Sequence, residues 1–195
     1  MDILENIRAV LTAEADAIRA VPVTPAFERA VELLRGREGK VITTGMGKAG
    51  HAARKLAGTL CSTRVPAFFL HPGEAAHGDL GLVDQGDVLI AFSNSGRTRE
   101  VLETVHLSRP LGVATVIAVT SNPASELAQA ADVLLEMGEI VEPCPLELTP
   151  TASVAVMLAI GDALAITLLQ LNGVTREDFG ARHHGGYLGQ RARDE

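Results

Sequence analysis

The chain has 195 residues, 47% of them apolar and 21% charged, with a net charge of −7. At that length roughly 70% of the unfolded surface can be buried in one domain, or one domain plus a short extension, without a disulfide or metal staple. This balance excludes a disordered chain, the negative charge argues against a general polyanion binder, and five Phe, one Tyr and no Trp are too few stacking platforms for a single-stranded nucleic-acid binder.

Leu4, Ile7 and Leu11 fall on one helical face, which Ala15 and Ile18 continue, so a helix is expected near the start. Thr24-Pro25 is an N-cap followed by Pro at the first helical position, and a second helix should run to about Leu34. From Lys40 short apolar runs alternate with helical segments. Strands are expected at Val41–Thr44, Pro66–Leu70, Asp87–Phe92, Val113–Thr120 and Asp132–Glu136. Helices are expected at His51–Leu60, Thr98–Leu107 and Pro123–Ala130, with Gly45-Met46-Gly47-Lys48 as a turn. Continuous apolar strands are buried on both faces, which implies an α/β, doubly wound, mostly five-stranded parallel sheet with helices on both sides. Residues 1–36 form an N-terminal helical extension and residues 37–190 the sheet-containing core of a single domain.

Val154–Leu171 is nearly all apolar, but Asp162 lies near its middle and no basic residue follows until Arg176. It reads as a buried core helix with Asp162 a paired, buried carboxylate, not as a membrane span. Thr149-Pro150 is its expected cap signal, and it should end near Asn172-Gly173. It is apolar almost all round, more than one small sheet face requires, so a partner copy is expected to cover the remainder. The residues after Met1 carry no basic and apolar leader pattern, and Cys61 and Cys144 show no CxxC spacing, so a cytoplasmic protein is expected.

In such sheets ligands lie at the carboxyl ends of the strands. Ser93-Asn94-Ser95-Gly96-Arg97-Thr98 follows a strand and opens a helix. Hydroxyls around a glycine at unpaired helix N–H groups suit a phosphate, whereas capping alone needs one hydroxyl. Gly45-Met46-Gly47-Lys48-Ala49-Gly50 has dinucleotide-loop glycine spacing, but Leu70-His71 stands where the ribose-binding acid belongs. Lys48 opposes the helix dipole, so contact with a substrate oxygen suits it better than a structural role.

His71, Glu74 and His77 lack zinc-helix spacing, so no metal is expected. His77 is open to acid/base work, to substrate contact, or to holding its own loop. Glu142 precedes Pro143-Cys144-Pro145 on a stiffened loop, and His183-His184-Gly185-Gly186 lies on a glycine-rich tail beyond the long helix.

These motifs together resemble the sugar isomerase (SIS) domain family, and within it the arabinose-5-phosphate isomerases. Gly45-Met46-Gly47-Lys48, the run from His71 to Gly81, Ser93-Asn94-Ser95-Gly96, Cys144-Pro145-Leu146, Gly161-Asp162-Ala163-Leu164-Ala165 and Gly185-Gly186 carry the resemblance in order. It implies aldose–ketose isomerisation of a phosphosugar, D-ribulose 5-phosphate to D-arabinose 5-phosphate through a cis-enediol, with no cofactor. It implies Lys48, Glu100, Glu142, His183 and His77 as catalytic candidates, and Gly47, Ser93, Asn94, Ser95, Thr98 and His71 as substrate-binding ones.

Family members often take the residue matching His183 from a neighbouring subunit, which implies a homotetramer with shared sites. Full-length members carry paired CBS regulatory domains after this region, and none is expected within residues 1–195. Arg97, Arg99, Glu147 and His184 depart from the family pattern and bear on which sugar is bound. The alternatives are an isomerase of a hexulose 6-phosphate or heptulose 7-phosphate, and a non-catalytic phosphosugar sensor. No nucleic acid or membrane partner is expected.

Overall fold

The computed structural model describes residues 2–194, with only the backbone at 194. Two helices open the chain, α1 (Ile3–Arg19) and α2 (Pro25–Gly36). Asp2 caps α1 by accepting from Leu4 N–H (2.9 Å), and Thr24 caps α2 with Pro25 behind it. Five parallel strands follow: β1 (Val41–Gly45), β2 (Ala67–Leu70), β3 (Val88–Phe92), β4 (Thr115–Thr120) and β5 (Val133–Glu136), in the order β2-β1-β3-β4-β5. Every residue of β1, β3 and β4 is buried, as their unbroken apolar runs require for strands covered on both faces.

Alternate strand residues serve two cores. Val41, Ile90, Phe92, Ile117 and Val119 pack against α2, α3 (Gly47–Ser62) and α7 (Ala152–Leu171). Ile42, Leu89, Ala91, Val116 and Ala118 pack against α4 (Pro72–Ala75), α5 (Arg99–Ser108) and α6 (Glu126–Ala130). Gly161 of α7 faces Leu56 of α3, where an added Cβ would lie 3.5 Å from that side chain. At the opening end of the sheet, fully buried Asp87 accepts from Lys40 N–H, Lys40 Nζ and Asp84 N–H, each at 2.8 Å. That cluster fixes the entries of β1 and β3 relative to each other.

Several boundaries differ from the sequence expectation. Helix α3 begins at Gly47, not near His51, because Gly47 adopts φ +59° and lets the helix start directly off β1. Lys48 therefore sits in the first helical turn. Helix α6 begins only at Glu126, where the Ser125 hydroxyl accepts from Ala128 N–H (3.3 Å). Helix α7 begins at Ala152, two residues past Pro150. It is long and apolar enough to cross a membrane by length and composition, yet half of it is buried against α1, α2 and α3.

Asp162 is paired as expected, with Lys55 of α3, but it is about half exposed instead of buried (46%). The polar tail expected after α7 is a helical hairpin, α8 (Arg176–Gly180) and α9 (Gly186–Asp194). Its nucleus is a capping box between Thr175 and Asp178, and Asp178 also pairs with Arg64 at 3.0 Å. Local hydrogen bonds hold this segment where apolar periodicity is absent.

Candidate active site

The sheet order reverses direction between β1 and β3, so the crevice above their carboxyl ends is the switch point where α/β sheets bind ligands. A cavity of about 250 Å³ lies there. Met46, Lys48 and Ala49 enter it from the β1–α3 junction, and Ser93, Asn94, Ser95 and Thr98 from the β3–α5 loop. Pro150, Ser153, Val154 and Met157 close it from the start of α7. Three helix N-termini, each the positive end of a helix dipole, thus meet at one small cavity.

Two of these termini are open. Neither Met46 at the start of α3 nor Thr98 at the start of α5 makes a side-chain cap. The loop hydroxyls brace the loop itself, and Ser95 does so only as an acceptor, which keeps its O–H for a ligand. Ser93 Oγ accepts from Gly96 N–H (3.1 Å) and bonds Thr98 Oγ1 (2.9 Å), while Ser95 Oγ accepts from Arg97 N–H (3.2 Å). The loop is thereby shaped in advance, and the first turn of α5 still faces the cavity with its donors. Asn94 anchors it from below: its carbonyl accepts from Ser121 N–H and Thr120 Oγ1.

The third terminus is capped by Glu142. Its Oε2 accepts from Thr151 N–H and Ala152 N–H, both at 2.8 Å, and its Oε1 from Ser153 N–H at 3.1 Å. Partial burial pushes this carboxyl upward, but the bonds from Ser153, Thr151 and Ala152 outweigh burial and hold it below the ordinary carboxylate value. The folded value is thus lower than the unfolded one. The cap therefore contributes stability above the ordinary carboxylate range and loses it as the pH falls through the depressed folded value.

Of the residues singled out in the sequence, Lys48, Ser93, Asn94, Ser95 and Thr98 line the cavity together. Gly47 starts α3 beside Lys48. Glu100 stands in the first turn of α5, and its carboxylate makes no hydrogen bond or ion pair among the described residues. His71 caps α4, its Nδ1 accepting from Gly73 N–H (3.2 Å), and His77 is an exposed loop residue.

His183 lies in the α8–α9 hairpin, outside the cavity lining of its own chain. Its ring stacks on Phe179 at 3.8 Å, and Nδ1 lies 2.8 Å from the Phe179 carbonyl. A carbonyl only accepts, so Nδ1 carries a proton here, which leaves Nε2 as the nitrogen that can exchange one. Among the described residues, no three His, Cys, Asp or Glu side chains group as a metal site. Sequence reasoning missed Met46, Ala49, Pro150, Ser153, Val154 and Met157. Only the helix start near Thr149-Pro150 pointed toward the last four.

A family model for the SIS domain matches residues 33–167. The chain is 45% identical over 193 residues to Arabinose 5-phosphate isomerase KdsD of Pseudomonas aeruginosa, covering 98% of this chain and 59% of the relative. It is 48% identical over 165 residues to the KdsD of Escherichia coli K12, covering 85% and 50%. The chain thus spans between half and three-fifths of the length of these curated relatives. Among solved structures, an Escherichia coli CFT073 protein in complex with arabinose 5-phosphate superposes with a TM-score of 0.88 at 40% identity, covering 93% of this chain and 97% of that one. With the family match over most of its length, a parallel sheet of the same architecture and a cavity at its switch point, this chain belongs to the SIS domain family.

Proposed function

We propose that the protein catalyses the reversible isomerisation of a phosphosugar, with D-ribulose 5-phosphate and D-arabinose 5-phosphate as the interconverting pair. The observation that carries this reading is the convergence of two uncapped helix N-termini, the Ser93–Thr98 loop and Lys48 on one cavity at the β1/β3 switch point. Open N–H groups suit a phosphate, and a lysine beside them suits the oxygens of the attached sugar. The arabinose 5-phosphate bound to the Escherichia coli CFT073 neighbour supports the same ligand class.

In the proposed chemistry a base removes a proton from C1 of the ketose and an enediol forms. A proton then returns to C2, so O1 becomes the carbonyl oxygen and O2 the hydroxyl. The face on which C2 is protonated decides between two epimeric aldoses, so the walls of the cavity control the product. Lys48 stabilises the negative charge that develops on the enediol oxygens. Glu100, and His183 through its Nε2, are the candidate proton carriers, with His71 and His77 as further contacts. The oxidation of C1 and the reduction of C2 cancel within the sugar, so no external oxidant or reductant is needed and no cofactor is assigned.

Replacing Ser95 with Ala removes a hydroxyl from the phosphate loop and should weaken sugar-phosphate binding by roughly 1.5–3 kcal/mol while leaving unphosphorylated sugar unaffected. Calorimetric titration checks this, and equal affinities for both proteins would refute the phosphate assignment. Incubation with pentose, hexose and heptose phosphates, followed by NMR, tests the sugar. The expected order puts ribulose 5-phosphate first. Conversion of a hexulose 6-phosphate or heptulose 7-phosphate alone would keep the reaction class and replace the substrate.

The assembly proposed is a homotetramer with shared sites, in the cytoplasm, where sugar phosphates are held and where the free cysteines Cys61 and Cys144 stay reduced. No residue of α1 is buried, and Ile3, Leu4, Ile7 and Leu11 are exposed. An apolar groove of about 620 Å³ runs between α1, α2 and the second half of α7. These faces support contact between copies.

Lys48→Met and His183→Ala chains mixed under exchange conditions should recover part of the activity that each lacks alone. That recovery is expected because some mixed sites join Lys48 of one copy to His183 of another. No recovery, with subunit exchange shown by mass spectrometry, would place His183 in its own chain's site or outside the reaction.

A further inference from the structure

The start of α7 lacks a local cap. Thr151 precedes the helix with φ −127° and ψ −63°, away from the extended backbone a capping residue adopts, and its side chain makes no cap. The first-turn N–H groups of Thr151, Ala152 and Ser153 instead converge on Glu142, nine to eleven residues earlier in the chain. Thr151 Oγ1 adds a fourth bond at 3.3 Å. Both oxygens of the carboxylate are engaged, and an ionised carboxylate has about four acceptor positions in all. Three of the four bonds fall on Oε2 and one on Oε1, so a proton taken up by this carboxylate would weaken the contacts that hold the helix.

The same bonds define a wall of the site. Ser153 and Val154 line the cavity from the first turn of α7, and Met157 follows one turn on. The negative charge of Glu142 also neutralises this terminus, leaving those of α3 and α5 as the open anion sites. The Glu100 carboxylate, by contrast, has no partner among the described residues.

We propose that Glu142 is a positioning residue: it caps α7, holds Ser153 and Val154 at the cavity, directs phosphate to the α3 and α5 termini, and does not carry the substrate proton. This rests on the isomerase reading above.

The test compares wild type, Glu142→Gln and Glu142→Gln/Thr151→Asp in melting temperature, in kcat and KM for ribulose 5-phosphate, and in the pH profile of kcat. Loss of the charged cap should lower the Tm of Glu142→Gln by about 3–8 °C. KM should rise, and kcat should fall by no more than about tenfold, less than loss of a general base produces. The acid limb of the profile should remain where it is in wild type. The added Asp returns a negative charge to the same helix terminus and should recover Tm and part of the lost activity.

Disappearance of the acid limb in Glu142→Gln, with kcat down by about a thousandfold or more, would make Glu142 the base and overturn the proposal. Should Glu142→Gln not fold, a folded double variant within about tenfold of wild type supports it, and a folded but inactive one overturns it. A wild type that converts no sugar phosphate overturns the isomerase reading itself, an outcome distinct from failure of the Glu142 assignment.

Discussion

Lys48→Met is expected to lower kcat by about 10²–10³, the effect of removing one donor to a developing oxyanion, without lowering stability. Lys48 lines the cavity, is exposed, and makes no hydrogen bond or ion pair among the described residues. It stands in the first turn of α3, where a positive charge opposes the helix dipole. Methionine keeps the length and helix propensity of the side chain and removes that repulsion. The melting temperature should therefore stay level or rise, corresponding to about 0.3–1 kcal/mol. Activity and stability move in opposite directions, as they do where a fold accepts local cost for chemistry. Steady-state kinetics and a thermal melt on one preparation check both signs. A parallel fall of both would make Lys48 structural.

Gly96→Ala is expected to disable the Ser93–Thr98 loop from the backbone outward. Gly96 adopts φ +64°, and an added Cβ would lie 2.0 Å from Ser125 Oγ, 2.4 Å from Ser125 Cβ and 3.0 Å from Thr120 Oγ1. Neither neighbour is free to yield. Ser125 caps α6, and Thr120 Oγ1 donates to the Asn94 carbonyl (3.0 Å). Gly96 itself bridges the two, its N–H donating to Ser93 and its carbonyl accepting from Leu127 N–H (3.1 Å).

The left-handed backbone and the overpacking together should cost roughly 2–5 kcal/mol of stability. Affinity for a sugar phosphate should fall at least about tenfold. Gly58 is the matched control. It lies inside α3 with nothing within 4 Å of an added Cβ, so alanine there should stabilise by roughly 0.5–1 kcal/mol. Equal behaviour of the two variants would mean that the loop does not depend on Gly96.

What could be read before the structure was whatever local patterning controls. The apolar runs of β1, β3 and β4 announce strands buried on both faces, and Ser93-Asn94-Ser95-Gly96 announces itself by falling between such a strand and a helix. Thr24-Pro25 marks α2 because cap and first turn are adjacent in sequence.

Features that depend on distance along the chain were hidden. Thr149-Pro150 carries the same local signal as Thr24-Pro25, yet α7 starts later because Glu142 supplies its cap from nine residues away. The cavity joins residues after β1 and β3, and only the strand order makes those exits neighbours. Asp162 reads as buried from its apolar neighbours, but it points from α7 toward Lys55 at the surface. The α8–α9 hairpin has no apolar period to detect, since a capping box, the Arg64–Asp178 pair and the Phe179–His183 stack hold it.

The central claim, that this cavity isomerises a phosphosugar, is tested most directly by incubating the protein with ribulose 5-phosphate in deuterium oxide and following the mixture by NMR. The expected result is arabinose 5-phosphate carrying deuterium at C2, because a proton passed through a side-chain base exchanges with solvent before it returns. Binding of ribulose 5-phosphate without formation of any aldose would contradict the claim.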